Sequence, residues 1–179
     1  MSLQISFRVV GLYCYFKNLQ LSTVGPTSTV KAVMDAVVAA KPAFNYKPNG
    51  QFVDTMTYDF TSNSTTPYNS TPPVAPGMRA LSDNLGNPSL IWQYYRSVTG
   101  SIDGTVCEIK LISGGQDSFA VRPMNAYDPY FGAVPANFQI STYNLTWRLV
   151  QIQMTPARQQ AFMHAKIDTM NKAHGAAKH

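Results

Sequence analysis

The stretch LQLSTVGPTSTVKAVMDAVV, residues 19–38, decides the first part of the fold. Leu19 and Leu21 alternate with polar residues, as they do in a strand with one buried face. A Gly-Pro pair then favours a turn, after which Ser28 or Thr29 is placed to accept hydrogen bonds from the first amides of a helix. Valines and a methionine follow at helical spacing until a proline ends the pattern. The stretch therefore predicts a strand, a turn and a helix in that order.

The residues before this stretch predict a partner for its strand. Apolar and polar residues alternate along residues 3–16, and the alternation slips by one position beside Gly11. A slip of this kind predicts a strand with a bulge or a bend. Lys17 and Asn18 suit a tight turn, so we expect a β-hairpin whose second strand begins at Leu19.

Further strands are expected after the helix. Phe44 to Tyr46 reads as a short extended segment, and Asp103-Gly104 is a hairpin turn signal. A second turn is expected at residues 113–117. Alternating segments predict strands at residues 51–61, 90–98, 107–111 and 145–154, the last with a bulge near its middle. Helices do not alternate strictly with these strands, which argues against a parallel doubly wound sheet.

Two irregular stretches separate the strands, and the chain ends in a third region of different character. Residues 62–88 and 123–137 are rich in proline and predict long loops, with a short helix around residues 78–85 inside the first. Residues 156–173 predict a final helix. We therefore expect one β-rich α+β domain over residues 1–155, followed by a basic helix and tail over residues 156–179.

Composition narrows the class of protein. The chain has 179 residues, of which 45% are hydrophobic and 13% charged, as expected for one globular domain rather than a disordered chain. No apolar run reaches the roughly 18 residues that a membrane helix needs, and no signal peptide is visible. The net charge of +5 is scattered, and no nucleic-acid-binding motif accompanies it. We expect neither a membrane span nor a nucleic-acid partner.

No motif for catalysis or metal binding stands out. All three histidines lie at or after His164, away from any serine or cysteine motif. His164 and Asp168 share a helical face, which is typical of a surface pair. Cys14 and Cys107 cannot form a disulfide framework or a zinc site, and their positions favour two core residues over one disulfide. We expect a protein that is not an enzyme and that holds no metal, and the sequence names no cofactor.

The order of elements resembles a known family. Residues 19–38 are similar to the second strand and the helix of a ubiquitin-like β-grasp domain. Further matches, all degenerate, resemble the β-grasp domain that closes transcobalamin and intrinsic factor and that also occurs alone in bacterial proteins. They are Phe44-x-Tyr46, Gly50-x-Phe52-Val53 and Trp92-x-Tyr94-Tyr95.

This resemblance covers residues 3–60 and 90–112 and implies an α+β fold, with a mixed sheet packed on one helix and a site for a soluble ligand. The chain departs from the family pattern in three places. The loop at residues 62–88 is longer, the final helix is extra, and residues 97–100 replace the Asn-Gly that often follows the Trp/Tyr strand.

The aromatic residues suggest a binding site. Loops on a rigid sheet often carry function, and aromatic side chains suit flat or apolar ligands. We therefore predict a non-catalytic module that holds a small molecule or peptide at a rim beside the long loops. Its expected site residues are Trp92, Tyr94, Tyr127, Tyr130 and Phe131. The alternative is a subunit of a virion, tail or surface layer, in which the loops and the last helix mediate self-association; the sequence leaves a homo-oligomer open in either case.

Overall fold

A computed structural model describes residues 2–12, 14–60, 77–84, 89–115, 119–128, 130, 132–152, 157 and 160. These residues form eight strands and one helix, so the fold is mainly β, and the expected α+β class with a mixed sheet is confirmed at that level. The elements are β1 (Leu3–Val9), β2 (Cys14–Leu21), α1 (Val30–Ala40), β3 (Phe44–Asn49), β4 (Phe52–Phe60), β5 (Gly77–Ser82), β6 (Ser89–Ile102), β7 (Thr105–Gly115) and β8 (Gln139–Ile152).

The strands form two sheets. The larger is five-stranded in the order β2-β1-β8-β6-β7, and its central pair, β1 and β8, is parallel while its other pairs are antiparallel. The first and last of these strands in the chain thus lie side by side. The smaller sheet is antiparallel in the order β3-β4-β5.

The first hairpin forms as expected, but its turn lies elsewhere. The chain reverses beside Gly11, which has a φ of +92°, a conformation that glycine adopts without strain. Lys17 and Asn18 lie inside β2, so the prediction of a turn there was wrong. Asn18 instead has a positive φ beside a register shift between Ile5 and Phe7, which identifies the bulge of this hairpin.

The helix begins where the sequence predicts. The Thr29 hydroxyl accepts a hydrogen bond from the Ala32 amide at 3.1 Å, whereas the Ser28 hydroxyl accepts one from the Gly25 amide. Thr29 is therefore the N-cap, and Ser28 stabilises the turn before it. The helix buries its valine stripe in a core shared with the large sheet.

The small sheet packs against the large one through aromatic contacts. The rings of Phe7 and Phe44 are 4.9 Å apart, and Trp92 donates its indole N–H to the Asp54 carbonyl at 3.1 Å. Residues 77–82 form β5, so the short helix expected around residues 78–85 was wrong. Met78 is 72% exposed and Leu81 is partly buried, because only alternate residues of a strand face the core.

The β6–β7 hairpin forms around Asp103 and Gly104, both with positive φ, as the sequence predicts. The strand β7 continues to Gly115, so the turn predicted to begin at residue 113 was wrong in its position. The bulge expected in the middle of β8 lies instead at Ser141, where pairing shifts between Thr99 and Gly100. The end of β7 and the bulge of β8 both depend on pairing between strands that are distant in the chain, which the sequence pattern does not show.

The two cysteines are unpaired and belong to separate parts of the interior. Cys14 is buried on β2, and Cys107 lies partly buried on β7 at the opposite edge of the large sheet. The expectation of a core residue is confirmed for Cys14, whereas Cys107 is only partly buried and packs against a smaller core cluster. Several predicted features lie outside the described residues: Phe131, most of the 62–88 loop, and the final helix and tail at 156–179 except for residues 157 and 160.

Candidate binding sites

The two faces of the large sheet differ in chemistry because its side chains alternate. Trp92, Tyr94 and Val98 on β6 point to the core, whereas Ser97 and Thr99 point to the outer face. Each face carries one depression relevant to binding. We call the one on the core side the loop groove and the one on the outer side the polar trough.

The structure divides the predicted aromatic site between core and surface. Trp92 and Tyr94 are fully buried in the main core, and Tyr94 packs on Trp147 with ring centroids 4.9 Å apart. They support the scaffold and are not available at a rim. Tyr130 is 89% exposed and is not among the residues that line the loop groove, so Tyr127 is the predicted residue, of the four that the structure describes, that lies at this depression.

The loop groove lies where the 123–137 segment crosses the large sheet and has a volume of about 220 Å³. Tyr127, 45% exposed, forms one wall, and Val98 and Leu111 of the smaller core form the base. The described residues that line it are Val98, Leu111, Asn125, Tyr127, Ala133, Val134, Ile140 and Tyr143.

The segment that carries Tyr127 is held by backbone hydrogen bonds. The Met124 amide donates to the Ser28 carbonyl at 2.8 Å, and the Asn125 amide donates to the Pro26 carbonyl at 2.9 Å. The Asp128 amide donates to Leu111, which lies on β7. Tyr127 is therefore fixed between anchored neighbours, as in a preformed site.

The chemistry of the loop groove is apolar with a few polar groups. Asn125 brings an amide, and Tyr127 and Tyr143 each bring a phenol. Burial raises the pKa of Tyr143, so its hydroxyl is kept neutral and is able to donate or accept a hydrogen bond. Sequence reasoning missed Val134 and Tyr143. The apolar residues of the proline-rich loop and the aromatic residue two before Leu145 were the available signals.

The polar trough crosses β2, β1, β8, β6 and β7 on the outer face and has a volume of about 350 Å³. It is lined by Ser6, Arg8, Tyr15, Thr99, Glu108, Asn144 and Thr146. The sequence prediction did not include it, because that prediction was based on aromatic residues. The signal was present in the polar positions that alternate with the core residues of β1, β6 and β8.

A third depression runs along α1, but its polar groups are paired with one another. Asp35 forms an ion pair with Lys31 at 2.8 Å and accepts a hydrogen bond from the Tyr46 hydroxyl at 2.5 Å. These contacts tie the helix to β3, and we assign them a structural role.

Among the described residues, no group of three or more His, Cys, Asp or Glu side chains is placed to hold a metal ion. No helix within the described part of the chain is long and apolar enough to cross a membrane.

Comparison with known proteins gives no relative. No family model, curated protein or solved structure matches the chain.

Proposed function

We propose that this protein is a non-catalytic binding module, built on a β-grasp core, that holds a small ligand in the loop groove. The β-grasp part rests on topology. The helix follows the first hairpin, and the first and last strands of the large sheet are parallel neighbours at its centre. The small sheet is then an insertion between the helix and β6. The resemblance to the ligand-binding β-grasp domains of transcobalamin and intrinsic factor belongs to the same proposal.

The placement of Tyr127 carries the functional part of the proposal. Its ring stands over an apolar base, on a segment whose neighbours are anchored to β7 and to the turn before α1. A site that is ordered before binding loses little conformational entropy when the ligand arrives. The volume lies below the range of roughly 300–1,000 Å³ typical of ligand pockets. We therefore expect a ligand, or a side chain of a peptide, with a single flat apolar group.

Native mass spectrometry of protein purified gently from its own source tests this proposal. We expect a co-purifying small mass on the wild-type protein, lost in Tyr127→Ala and kept in the matched control Tyr130→Ala. Because Tyr127 is 45% exposed and Tyr130 is 89% exposed, neither change removes a core residue.

A titration with indole, a flat probe with one N–H donor, gives a second readout. We expect NMR amide shifts at Asn125, Tyr127 and Val134 that disappear in Tyr127→Ala. Shifts that persist in this variant, or that map away from the groove, would reject the loop groove as the site.

Exposed edge strands support a second candidate function, that of an assembly subunit. Met78 is 72% exposed on β5 and Val106 is 75% exposed on β7, and both strands lie at edges of the described sheets. Unpaired strand edges with exposed apolar residues can pair with another chain. Analytical ultracentrifugation distinguishes this function: a defined oligomer that dissociates in Met78→Lys or Val106→Lys supports it, and a wild-type monomer at high concentration rejects it.

A further inference from the structure

The polar trough has a shape that follows from the sizes of its side chains. Its floor is made of small residues in neighbouring register: Ser6 of β1 pairs with Asn144 of β8, which pairs with Ser97 of β6. Larger residues lie toward both sides, with Arg8 paired to Tyr15 at one and Glu108 on β7 at the other. A strip of small residues between larger ones leaves a depression of about 350 Å³ on an otherwise regular sheet.

Hydrogen bonds fix the orientation of the side chains at the floor of the trough. The Ser97 hydroxyl donates to Glu108 Oε1 at 2.5 Å, because a carboxylate only accepts. Ser97 Oγ must then accept from Asn144, at 3.1 Å, so the atom of Asn144 that faces it is the NH₂ group. The same NH₂ donates to Thr99 Oγ1 at 2.9 Å. Both hydrogens of the Asn144 side-chain amide are therefore used in hydrogen bonds within the trough.

The network leaves acceptors for a ligand. Among the described residues, none donates a hydrogen bond to Asn144 Oδ1 or to Glu108 Oε2. The hydroxyl of Thr146 and the guanidinium of Arg8 also line the trough. Acceptors and hydroxyls on one rigid sheet surface suit a ligand that carries several hydroxyl groups.

The charges of the trough select among such ligands. Its charged lining residues, within the described part of the chain, are one cation, Arg8, and one anion, Glu108. Two further cations lie on the same strands: Lys110 on β7, paired with Ser97, and Arg148 on β8, which donates to the Tyr95 hydroxyl at 2.6 Å and covers its ring. A carboxylate with an unused oxygen repels a phosphate or a sulfate, whereas it accepts readily from neutral hydroxyls.

We propose that the polar trough is a binding site for a neutral saccharide, with Asn144 and Glu108 accepting from its hydroxyls. The volume lies near the lower end of the range of roughly 300–1,000 Å³ for small-molecule sites, which suits a single sugar unit. This site lies on the opposite face of the sheet from the loop groove and does not depend on it.

Titration of the full chain with glucose, galactose and N-acetylglucosamine, followed by NMR, tests the proposal. An open hydrogen-bonding site of this kind is expected to bind with a Kd of about 1 mM or weaker, so sugar is added to well above that concentration. We expect shifts at the Asn144 side-chain amide and at the Thr99 amide with at least one sugar. Each of Asn144→Ala and Glu108→Gln should raise the Kd about tenfold, the loss expected for one hydrogen bond to a charged or fixed group.

Two further variants keep the test decisive. Thr146→Phe, a partly exposed position without a hydrogen bond to a described residue, fills the trough with a strand-favouring residue and should abolish the shifts while the protein melts normally. Gln20→Ala, exposed and paired with Gln4 on the same sheet outside the trough, should leave the Kd unchanged. The proposal is overturned if no sugar shifts these resonances, if Thr146→Phe binds as well as the wild type, or if inorganic phosphate occupies the trough more tightly than any sugar.

Discussion

Arg96 and Pro123 are joined by a 2.7 Å hydrogen bond from the guanidinium Nη1 to the carbonyl oxygen, and the same nitrogen donates to the Met124 carbonyl at 3.2 Å. Arg96 is almost fully buried, and no described residue accepts from its Nε or Nη2. Burial lowers the pKa of Arg96, and the positive charge of Arg122 lowers it further against an opposing effect of Tyr94. A buried cation thus anchors the segment that leads to Tyr127.

Replacement of this arginine by Arg96→Met should loosen that segment. The Met124 carbonyl loses its donor among the described residues, while the Pro123 carbonyl keeps the Ala126 amide at 3.1 Å. A buried acceptor left unpaired costs about 1–3 kcal/mol. We expect the free energy of unfolding, measured with urea, to fall by that amount. Hydrogen exchange at the Met124 and Asn125 amides should become faster. The control Lys47→Met removes an exposed cation and should change neither measurement. A variant as stable as the wild type would mean that the desolvation of Arg96 outweighs its hydrogen bonds.

Gly100 should tolerate no side chain. A Cβ at this position would lie 2.1 Å from the Gln139 carbonyl oxygen, a backbone atom that moves only if the bulge at Ser141 moves with it. We expect Gly100→Ala to lower the free energy of unfolding by about 3 kcal/mol, the upper part of the range for overpacking. Gly104→Ala, where a Cβ meets no atom but φ is +77°, should cost about 1 kcal/mol. Equal losses of unfolding free energy in the two variants would show that the backbone shifts to remove the close contact at Gly100.

Stability should fall in alkaline solution because of Tyr46. Burial, together with the hydrogen bond to Asp35 and its charge, raises the pKa of Tyr46 above its usual value of about 10. The folded protein keeps this proton while the unfolded chain loses it, so the stabilisation is complete below pH about 10 and declines as the pH rises further. Measured by urea unfolding across this pH range, the free energy of unfolding should decline less in Tyr46→Phe than in the wild type. Tyr130→Phe should behave as the wild type. If stability declines with pH in Tyr46→Phe as it does in the wild type, the loss of stability arises from other titrating groups.

The two cysteines should differ in reactivity. Burial raises the pKa of the Cys14 thiol, and the thiolate is the reactive form, whereas Cys107 is partly exposed. We expect a disulfide reagent to modify one thiol rapidly in the folded protein and the second only after unfolding. Cys107→Ser should remove the rapid phase and Cys14→Ser should retain it. Two equally rapid phases in the wild type would contradict the burial of Cys14.

The sequence by itself determined the local elements. The Thr29 cap, the valine stripe of α1 and the Asp103-Gly104 turn depend on interactions between near neighbours in the chain, and the structure has all three where they were predicted. Alternation also placed Trp92 and Tyr94 on one face of their strand. It did not distinguish a buried aromatic face from a binding face, because both show the same period.

Tertiary structure decided the rest. The parallel pairing of β1 with β8, the register shifts at Asn18 and Ser141, and the strand β5 in place of a short helix all depend on hydrogen bonds between segments distant in the chain. The polar trough arises in the same way. Ser6, Asn144, Ser97 and Glu108 are unremarkable polar residues in the sequence, and only pairing across β1, β8, β6 and β7 brings their side chains together on one surface.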